Sequence, residues 1–386
     1  MAVLWLCLSA VLIAVLQGLI FGVSALRKIN YTRVLSLDRC FAGDSFEMVE
    51  TISNSKSIPV LWLRLEAMLP ASFRFQSVET GEVSQGNIYQ NHRSLFTLKP
   101  YYRITRRHPV TALQRGIYAQ ETVVMTGGDL LGIYNSSRLL PVHLSLIVYP
   151  SLLELNELPP SYRTWQGELE VSRFVVEDPF LITGTREYTG QEPMNRIHWK
   201  ASARSGALQV YKQGYSSDPE VFICVNVQVS PNMWNVVSNP EMVEWALSYA
   251  ATAAVWVTDR GMKVGFGHNG HTESTKDSYD SIRMIPAGGQ PHLEDLLQAM
   301  AEVQMKCKKP FEQYLMEELE RDCEDRWDYL LITAFVSSQM EERIELLRSR
   351  GHSITILPIE IDGAYGQYKE EQHASSTNAF STDDLR

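Results

Sequence analysis

Residues 2–26 are almost uninterruptedly apolar, broken only by Ser9, Gln17, Ser24 and glycines. A run of that length crosses the hydrocarbon core of a bilayer as a helix, because in lipid the backbone must satisfy its own polar groups. The alternative, a cleaved secretory signal, is favoured by the small-residue pattern Val23-Ser24-Ala25. It is opposed by the missing basic n-region and by an apolar stretch longer than such signals use. Residues 1–26 therefore read as a transmembrane helix. Nothing basic precedes it except the amino terminus, whereas Arg27, Lys28 and Arg33 follow closely. The expectation is a single-pass protein of the cell membrane with its body in the cytoplasm. A second apolar run, residues 245–257, is too short to span, contains Ser248 and Thr252, and reads as a buried helix.

The chain has 386 residues, 45% of them hydrophobic, enough for two cores behind the anchor. A formal charge of -10 and a pI near 5.5 leave no overall positive field, so nucleic acid is not an expected partner. Cys7, Cys40, Cys224, Cys307 and Cys323 form no C-x-x-C pair and no zinc-type spacing with histidine. That argues against a disulfide scaffold or structural zinc, and Cys7 and Cys224 read as small buried hydrophobes.

Residues 27–160 are a succession of short apolar runs separated by turn residues. Residues 46–52 are followed by Ser53-Asn54-Ser55; further runs occupy 60–65, 104–105, 116–124 and 142–148, with Gly127-Gly128-Asp129 as a turn. Strand periodicity without intervening helices predicts an antiparallel β-sandwich-like region. Arg106, Arg107, His108 and Arg115 form a local basic cluster that reads as a solvated strand face in preference to a lipid or acidic-partner site.

Over residues 161–362 the pattern changes. Residues 220–227 form a continuous apolar strand of the kind buried on both faces of a parallel sheet. A helix is predicted over 240–259, opened by Asn239-Pro240 and closed by Arg260-Gly261. Then follow a strand at 263–266, a helix at 291–303, a strand at 329–335, a helix at 338–350 stopped by Gly351, and a strand at 353–359. The alternation makes the chain multidomain α and β, ending in a doubly wound, Rossmann-like α/β domain with any ligand at the carboxyl ends of its strands. No G-x-G-x-x-G follows the first strand and no G-x-x-x-x-G-K-[ST] occurs, so neither dinucleotide binding nor nucleotide hydrolysis is supported. Residues 363–386 lack apolar periodicity and read as a disordered polar tail.

The α/β region is similar to von Willebrand factor A-like modules. Their first strand usually ends in Asp-x-Ser-x-Ser, which holds magnesium through oxygen ligands. Here the stretch is Asn226-Val227-Gln228-Val229-Ser230, and the later strand ends in Thr333-Ala334, where an acidic residue is common. Asn226, Gln228, Ser230 and Thr333 thus make a degenerate site without a carboxylate. A hard cation such as Mg2+ is expected to bind weakly or not at all, and no cofactor is expected.

Residues 184–208 concentrate Arg186, Arg196, His198, Lys200 and Arg204 in an acidic chain, an arrangement suited to anions. Tyr188 and Trp199 are stacking platforms or core anchors, and Gly190 and Gly206 mark tight turns. Arg186-Glu187-Tyr188-Thr189-Gly190, followed by Arg196-Ile197-His198-Trp199-Lys200-Ala201-Ser202-Ala203-Arg204-x-Gly206-x-Leu208, resembles the signature of the bacterial domain of unknown function 58 family. Arg115-Gly116-Ile117-Tyr118 and Gly128-Asp129-Leu130-Leu131-Gly132 agree with it, and the resemblance covers most of residues 1–362. Family members commonly carry two N-terminal membrane helices, where this chain shows one. They are often encoded beside MoxR-type AAA ATPases and transglutaminase-like membrane proteins. The resemblance therefore implies an adaptor that docks a MoxR-type AAA ATPase in cell-envelope processes, and implies no enzyme activity.

Three readings of the motif follow. In the adaptor reading, the von Willebrand A-like module binds a protein partner while the helix ties the assembly to the membrane. A hydrolase reading makes His198 a general base near Glu187 or Ser202, acting on an anionic substrate held by the arginines, against the plainer alternative of a structural histidine. The third is architectural, with the guanidinium groups tying the β-rich region to the α/β module.

Overall fold

The computed structural model of the protein describes residues 2–22, 24–76, 83–84, 88–172, 177–190, 193–215, 219–231, 233–272, 282–321 and 326–359. Cys323 and the tail at 363–386 lie outside the described residues. The chain divides into two compact units, Met1–Ser151 with Met300–Glu302, and Leu152–Ala299 with the residues from Val303 onward.

The first unit begins with α1 (Ala2–Gln17), which widens into a looser helical turn at Gly18–Gly22. The stretch Val3–Gly22 has a mean hydropathy of 2.5 and is long and apolar enough to cross a membrane. Its large side chains, Leu4, Trp5, Leu8 and Leu12 among them, are exposed, and so is Cys7, contrary to its expected burial. An apolar helix has no protein core to cover it here.

Ten strands follow: β1 (Ile29–Leu35), β2 (Arg39–Phe41), β3 (Ser45–Asn54), β4 (Val60–Pro70), β5 (Phe73–Phe75), β6 (Val83–Ser84), β7 (Tyr89–Leu98), β8 (Arg103–Ala112), β9 (Gly116–Gly128) and β10 (Asn135–Tyr149). They make a four-stranded sheet, β1-β3-β8-β5, and a six-stranded sheet, β2-β10-β9-β4-β7-β6. All pairings are antiparallel except β10 with β2. Burial alternates along β3 and β7, the period-2 signature of strands with one face on a core. Ile29 and Ile52 of one sheet pack with Leu63, Leu65, Phe96, Val123 and Met125 of the other.

One part of that interior is polar. Arg33 and Glu50, cross-strand partners on β1 and β3, form an ion pair at 2.5 Å with both side chains fully buried. Glu50 also accepts from Tyr31 Oη at 2.7 Å and Ser94 Oγ at 3.0 Å, and lies 3.2 Å from His108 Nε2. Arg33 Nη1 reaches Gln120 Oε1 at 2.9 Å. His108, expected on a solvated face with its arginine neighbours, is instead buried against Glu50. A buried carboxylate needs such partners, because each unpaired charge would cost several kcal/mol, on the order of 3–5.

The second unit contains α2 (Pro160–Ser172), β11 (Glu177–Glu187), α3 (Trp199–Ser205), β12 (Gln209–Tyr215), β13 (Glu220–Val225), α4 (Pro240–Asp259), β14 (Lys263–His268), β15 (Gly270–Thr272) and β16 (Arg283–Ala287). It continues with α5 (Gln290–Glu302), whose last three residues group with the first unit, then β17 (Val303–Cys307), α6 (Phe311–Glu320), β18 (Asp328–Thr333), α7 (Ser338–Ser349) and β19 (Ser353–Pro358). The main sheet has the order β16-β14-β13-β18-β19. Strands β14, β13, β18 and β19 are mutually parallel, and β16 is an antiparallel edge. β13 and β18 are almost wholly buried, which accounts for their unbroken apolar sequence. α4 has the predicted ends: Asn239 caps it by accepting from Glu241 N at 3.1 Å, and Pro240 opens its first turn. Phe222, Phe311, Tyr314, Tyr329 and Leu331 belong to one buried cluster of this unit.

Candidate functional site

The first strand of the main sheet, β13, lies between β14 and β18, so the chain leaves it first to one side and later to the other. In open α/β sheets such a reversal opens a crevice at the carboxyl ends of the strands. The residues expected to form a degenerate metal site sit there. Asn226 Nδ2 donates to Thr333 Oγ1 at 3.0 Å, and Asn226 Oδ1 accepts from Gln228 N at 3.0 Å and Asn269 Nδ2 at 3.2 Å. Thr333 Oγ1 donates onward to Phe335 O at 2.7 Å. Gln228 Nε2 donates to Ser230 O at 2.9 Å, and its Oε1 accepts from Phe311 N at 3.1 Å, supplying the cap that Pro310 cannot give α6.

Asn226, Gln228, Ser230 and Thr333 are linked here as a closed hydrogen-bonded cluster, Ser230 through its carbonyl. Asn226 and Gln228 are 1% exposed, and their polar atoms are spent on protein partners. Among the described residues no three His, Cys, Asp or Glu side chains converge as a metal site would require. Asn269 belongs to the cluster too, accepting from Val227 N at 2.8 Å and donating to Lys309 O at 3.1 Å. Its only signal in the sequence is the Asn269-Gly270 dipeptide directly after β14, which marks a turn at that edge but not a partner for Asn226.

The segments that leave β13 and β18 beside this floor carry exposed apolar side chains among polar ones. Met233, Trp234 and Val236, in the segment after β13, and Val336, in the segment after β18, are all exposed. Both segments leave the same end of two paired strands. These four were also absent from the sequence reading, because exposure is not visible in a linear pattern.

The motif at residues 184–208 folds as a hairpin with a short helix inserted. β11 pairs antiparallel with β12, Ile197 bridges to Val210, and α3 lies between. His198 caps α3: its Nδ1 accepts from Ala201 N at 3.2 Å, and its backbone N–H donates to Gln209 O at 2.7 Å. The imidazole packs on Tyr211, with ring centroids 4.4 Å apart. Ser202 Oγ donates to His198 O at 3.1 Å and accepts from Gln209 N at 2.8 Å. Gly206 ends the helix with φ 73°, a left-handed cap that a β-carbon would strain.

His198 and Ser202 are thus brought together, but through the backbone of one turn, with the histidine nitrogen committed to Ala201. Arg186, Glu187, Trp199, Lys200 and Arg204 are exposed, Tyr188 and Arg196 are half-buried, and Gly190 is in a turn with φ 89°. Arg186 Nη1 lies 3.4 Å from Glu187 O. The arrangement can present cations and an indole to a surface, and it fixes the hairpin.

Residues 184–363 match the family described as "Protein of unknown function DUF58". Over 355 residues the chain is 19% identical to the uncharacterized protein YeaD of Bacillus subtilis (strain 168), covering 92% of this chain and 81% of that protein. Among solved structures, it is similar to a CARDB domain from Pyrococcus furiosus at 14% identity, over 32% of this chain and 96% of that chain, with a TM-score of 0.20. A non-cellulosomal cohesin from Archaeoglobus fulgidus gives 9% identity over 31% and 91% of the two chains, with a TM-score of 0.23. Neither structural likeness bears on function.

Proposed function

We propose that the chain is a membrane-anchored interaction protein, held in the cell membrane by α1 with its body in the cytoplasm, whose second unit docks a protein partner. The observation that carries this reading is the carboxyl-terminal edge of the main sheet. Its floor is the saturated cluster of Asn226, Asn269 and Thr333, and the segments that leave β13 and β18 at that end carry the exposed Met233, Trp234, Val236 and Val336. A fully hydrogen-bonded floor without a carboxylate, with exposed large apolar side chains on the segments leaving it, suits a protein hot spot better than a cation or a small polar substrate. The strand order, with neighbours on both sides of β13, supports reading the unit as a von Willebrand A-like module. A MoxR-type AAA ATPase is the partner that the family resemblance implies.

The hydrolase reading has less support. It needs His198 to draw a proton from a nucleophile, and His198 Nδ1 is occupied in capping α3 while Ser202 Oγ is occupied in holding α3 to β12.

The test is affinity purification of the tagged full-length chain from native membranes, beside Trp234→Glu and Val336→Glu. Alanine at Asn226 or Gln228 would be a poor choice, because those side chains hold the strand ends. Recovery of an AAA ATPase with the wild-type chain and its loss with both variants, at unchanged melting temperature, is the expected result. Equal recovery from the variants would move the docking surface elsewhere, and recovery of no ATPase from any chain would remove the partner.

A further inference from the structure

The turn between β9 and β10, residues 129–134, is built tightly and yet presents apolar side chains outward. Asp129 is fully buried. Its Oδ1 accepts from Tyr134 N at 2.8 Å, its Oδ2 from Gln17 Nε2 at 2.7 Å, and its carbonyl from Trp62 Nε1 at 2.8 Å. From this frame project Leu130, Leu131 and Ile133, at 72%, 59% and 68% exposure. Three exposed aliphatic groups within four residues of an internally bonded turn contribute nothing to the sandwich core.

The turn is fastened to the foot of the apolar helix. Gln17 is the last residue of α1, and Gly22 lies so close to Tyr134 that a β-carbon there would sit 2.5 Å from its ring. Leu26 abuts Gly127, and Lys56 Nζ donates to Ser24 O and, at 2.9 Å, to Ala25 O. Gln17 lies five residues inside the end of the apolar stretch Val3–Gly22, about 7 Å along the helix axis. The turn therefore stands at the level where acyl chains give way to headgroups.

The β7–β8 turn belongs to the same end. Tyr101 N donates to Lys56 O at 3.2 Å, and Asn54 N donates to Tyr102 O at 2.9 Å. Tyr101 and Tyr102 are 73% and 52% exposed, and the neighbouring Lys99 and Arg103 are exposed as well. Exposed tyrosines beside lysine and arginine are the chemistry of a membrane–water interface, where rings sit among headgroups and cations meet phosphate.

We propose that this end of the β-rich unit rests on the bilayer, with Leu130, Leu131 and Ile133 inserted among the lipid chains beside α1 and Tyr101 and Tyr102 at headgroup level. The proposal rests on the reading of α1 as a membrane anchor. Its consequence is mechanical: the unit is held at two points, so it cannot swivel freely about a single helix.

The test uses the full chain in vesicles of phosphatidylethanolamine and phosphatidylglycerol, with an environment-sensitive fluorophore on one cysteine at a time. The native Cys7 reports on α1 in a Cys323→Ser chain. Leu131→Cys and Ile133→Cys report on the turn, and Gln114→Cys on the opposite end of β9, about 40 Å of strand away; these three also carry Cys7→Ser. With acyl-brominated lipids the labels at 131 and 133 should lose most of their emission, resist iodide, and match Cys7 in both respects. The label at 114 should be quenched by iodide alone. Quenching at Cys7 with iodide-exposed labels at 131 and 133 would overturn the proposal and leave the anchor standing. Labels at 131 and 133 shielded from both quenchers would also overturn it, since a protein would then cover the turn. Iodide exposure at all four positions would remove the anchor reading together with the proposal.

Discussion

Asn226 donates from Nδ2 to Thr333 Oγ1 across 3.0 Å and so ties together the carboxyl ends of two neighbouring parallel strands. Where a metal-bearing module would need an anionic oxygen, this chain has a donor and an acceptor that satisfy each other. Asn226→Asp should therefore fail to create a magnesium site and should cost stability. The bond to Thr333 disappears, because the threonine hydroxyl already donates to Phe335 O, and a charge replaces an amide in a buried position. The loss expected is about 1–3 kcal/mol. Calorimetric titration with Mg2+ and chemical denaturation check both halves.

Ser202 separates a structural from a chemical role for the motif. Its hydroxyl serves Gln209 N and His198 O, so Ser202→Ala should loosen the junction of α3 and β12 by about 1 kcal/mol. Amide hydrogen exchange at residues 198–210 should quicken. A nucleophile would behave oppositely, with activity abolished and protection unchanged.

The buried pair of Arg33 and Glu50 predicts a large effect from a small change. Glu50→Gln keeps the shape but leaves the Arg33 guanidinium uncompensated at full burial. Removing one member of such a pair costs about 3–5 kcal/mol. The double variant Arg33→Met, Glu50→Leu should recover part of the loss in urea denaturation.

The same cluster makes the fold sensitive to acid, because a second buried histidine, His92 on β7, packs edge-on to His108 with ring centroids 5.0 Å apart. Burial pushes the His92 imidazole down from 6.5 to about 4, despite the opposing pull of Glu50. Between those values the unfolded chain takes up a proton that the folded chain refuses, so stability falls as pH drops through this window, by up to about 3 kcal/mol. Burial pushes the Glu50 carboxyl up, but the His108 hydrogen bond, the Arg33 charge and the Tyr31 hydroxyl outweigh it and hold the group well below the usual carboxylate range. Its stabilisation is present above 4.5 and is lost as pH falls below that value, where the unfolded carboxyl protonates. Melting temperature should decline from pH 7 towards pH 4.5, and His92→Leu should flatten that slope.

Much of the local structure was written in short-range pattern. The ends of α4 followed from Asn239-Pro240 and Arg260-Gly261, and β13 from an unbroken apolar run, because caps and periodicity act over a few residues. The helices α2 and α6 also carry a legible signal: Tyr162, Trp165 and Leu169 recur at helical spacing, as do Phe311, Tyr314, Leu315 and Leu319. The hairpin of β11 and β12 was harder to read, since a short helix interrupts it.

The sequence by itself determined the apolar helix, the strand and helix alternation of the second unit, and the absence of a carboxylate from Asn226, Gln228, Ser230 and Thr333. Only the tertiary structure decided what those residues bond to. Asn226 meets Asn269 across 43 residues and Thr333 across 107, and those meetings depend on strand order, which no local pattern encodes. The turn at Leu130, Leu131 and Ile133 makes the same point: its apolar residues look like core in the sequence, and the burial of Asp129 against Gln17 turns them outward. Periodicity records which residues prefer an apolar setting, whereas the folded chain decides which of them the protein itself can cover.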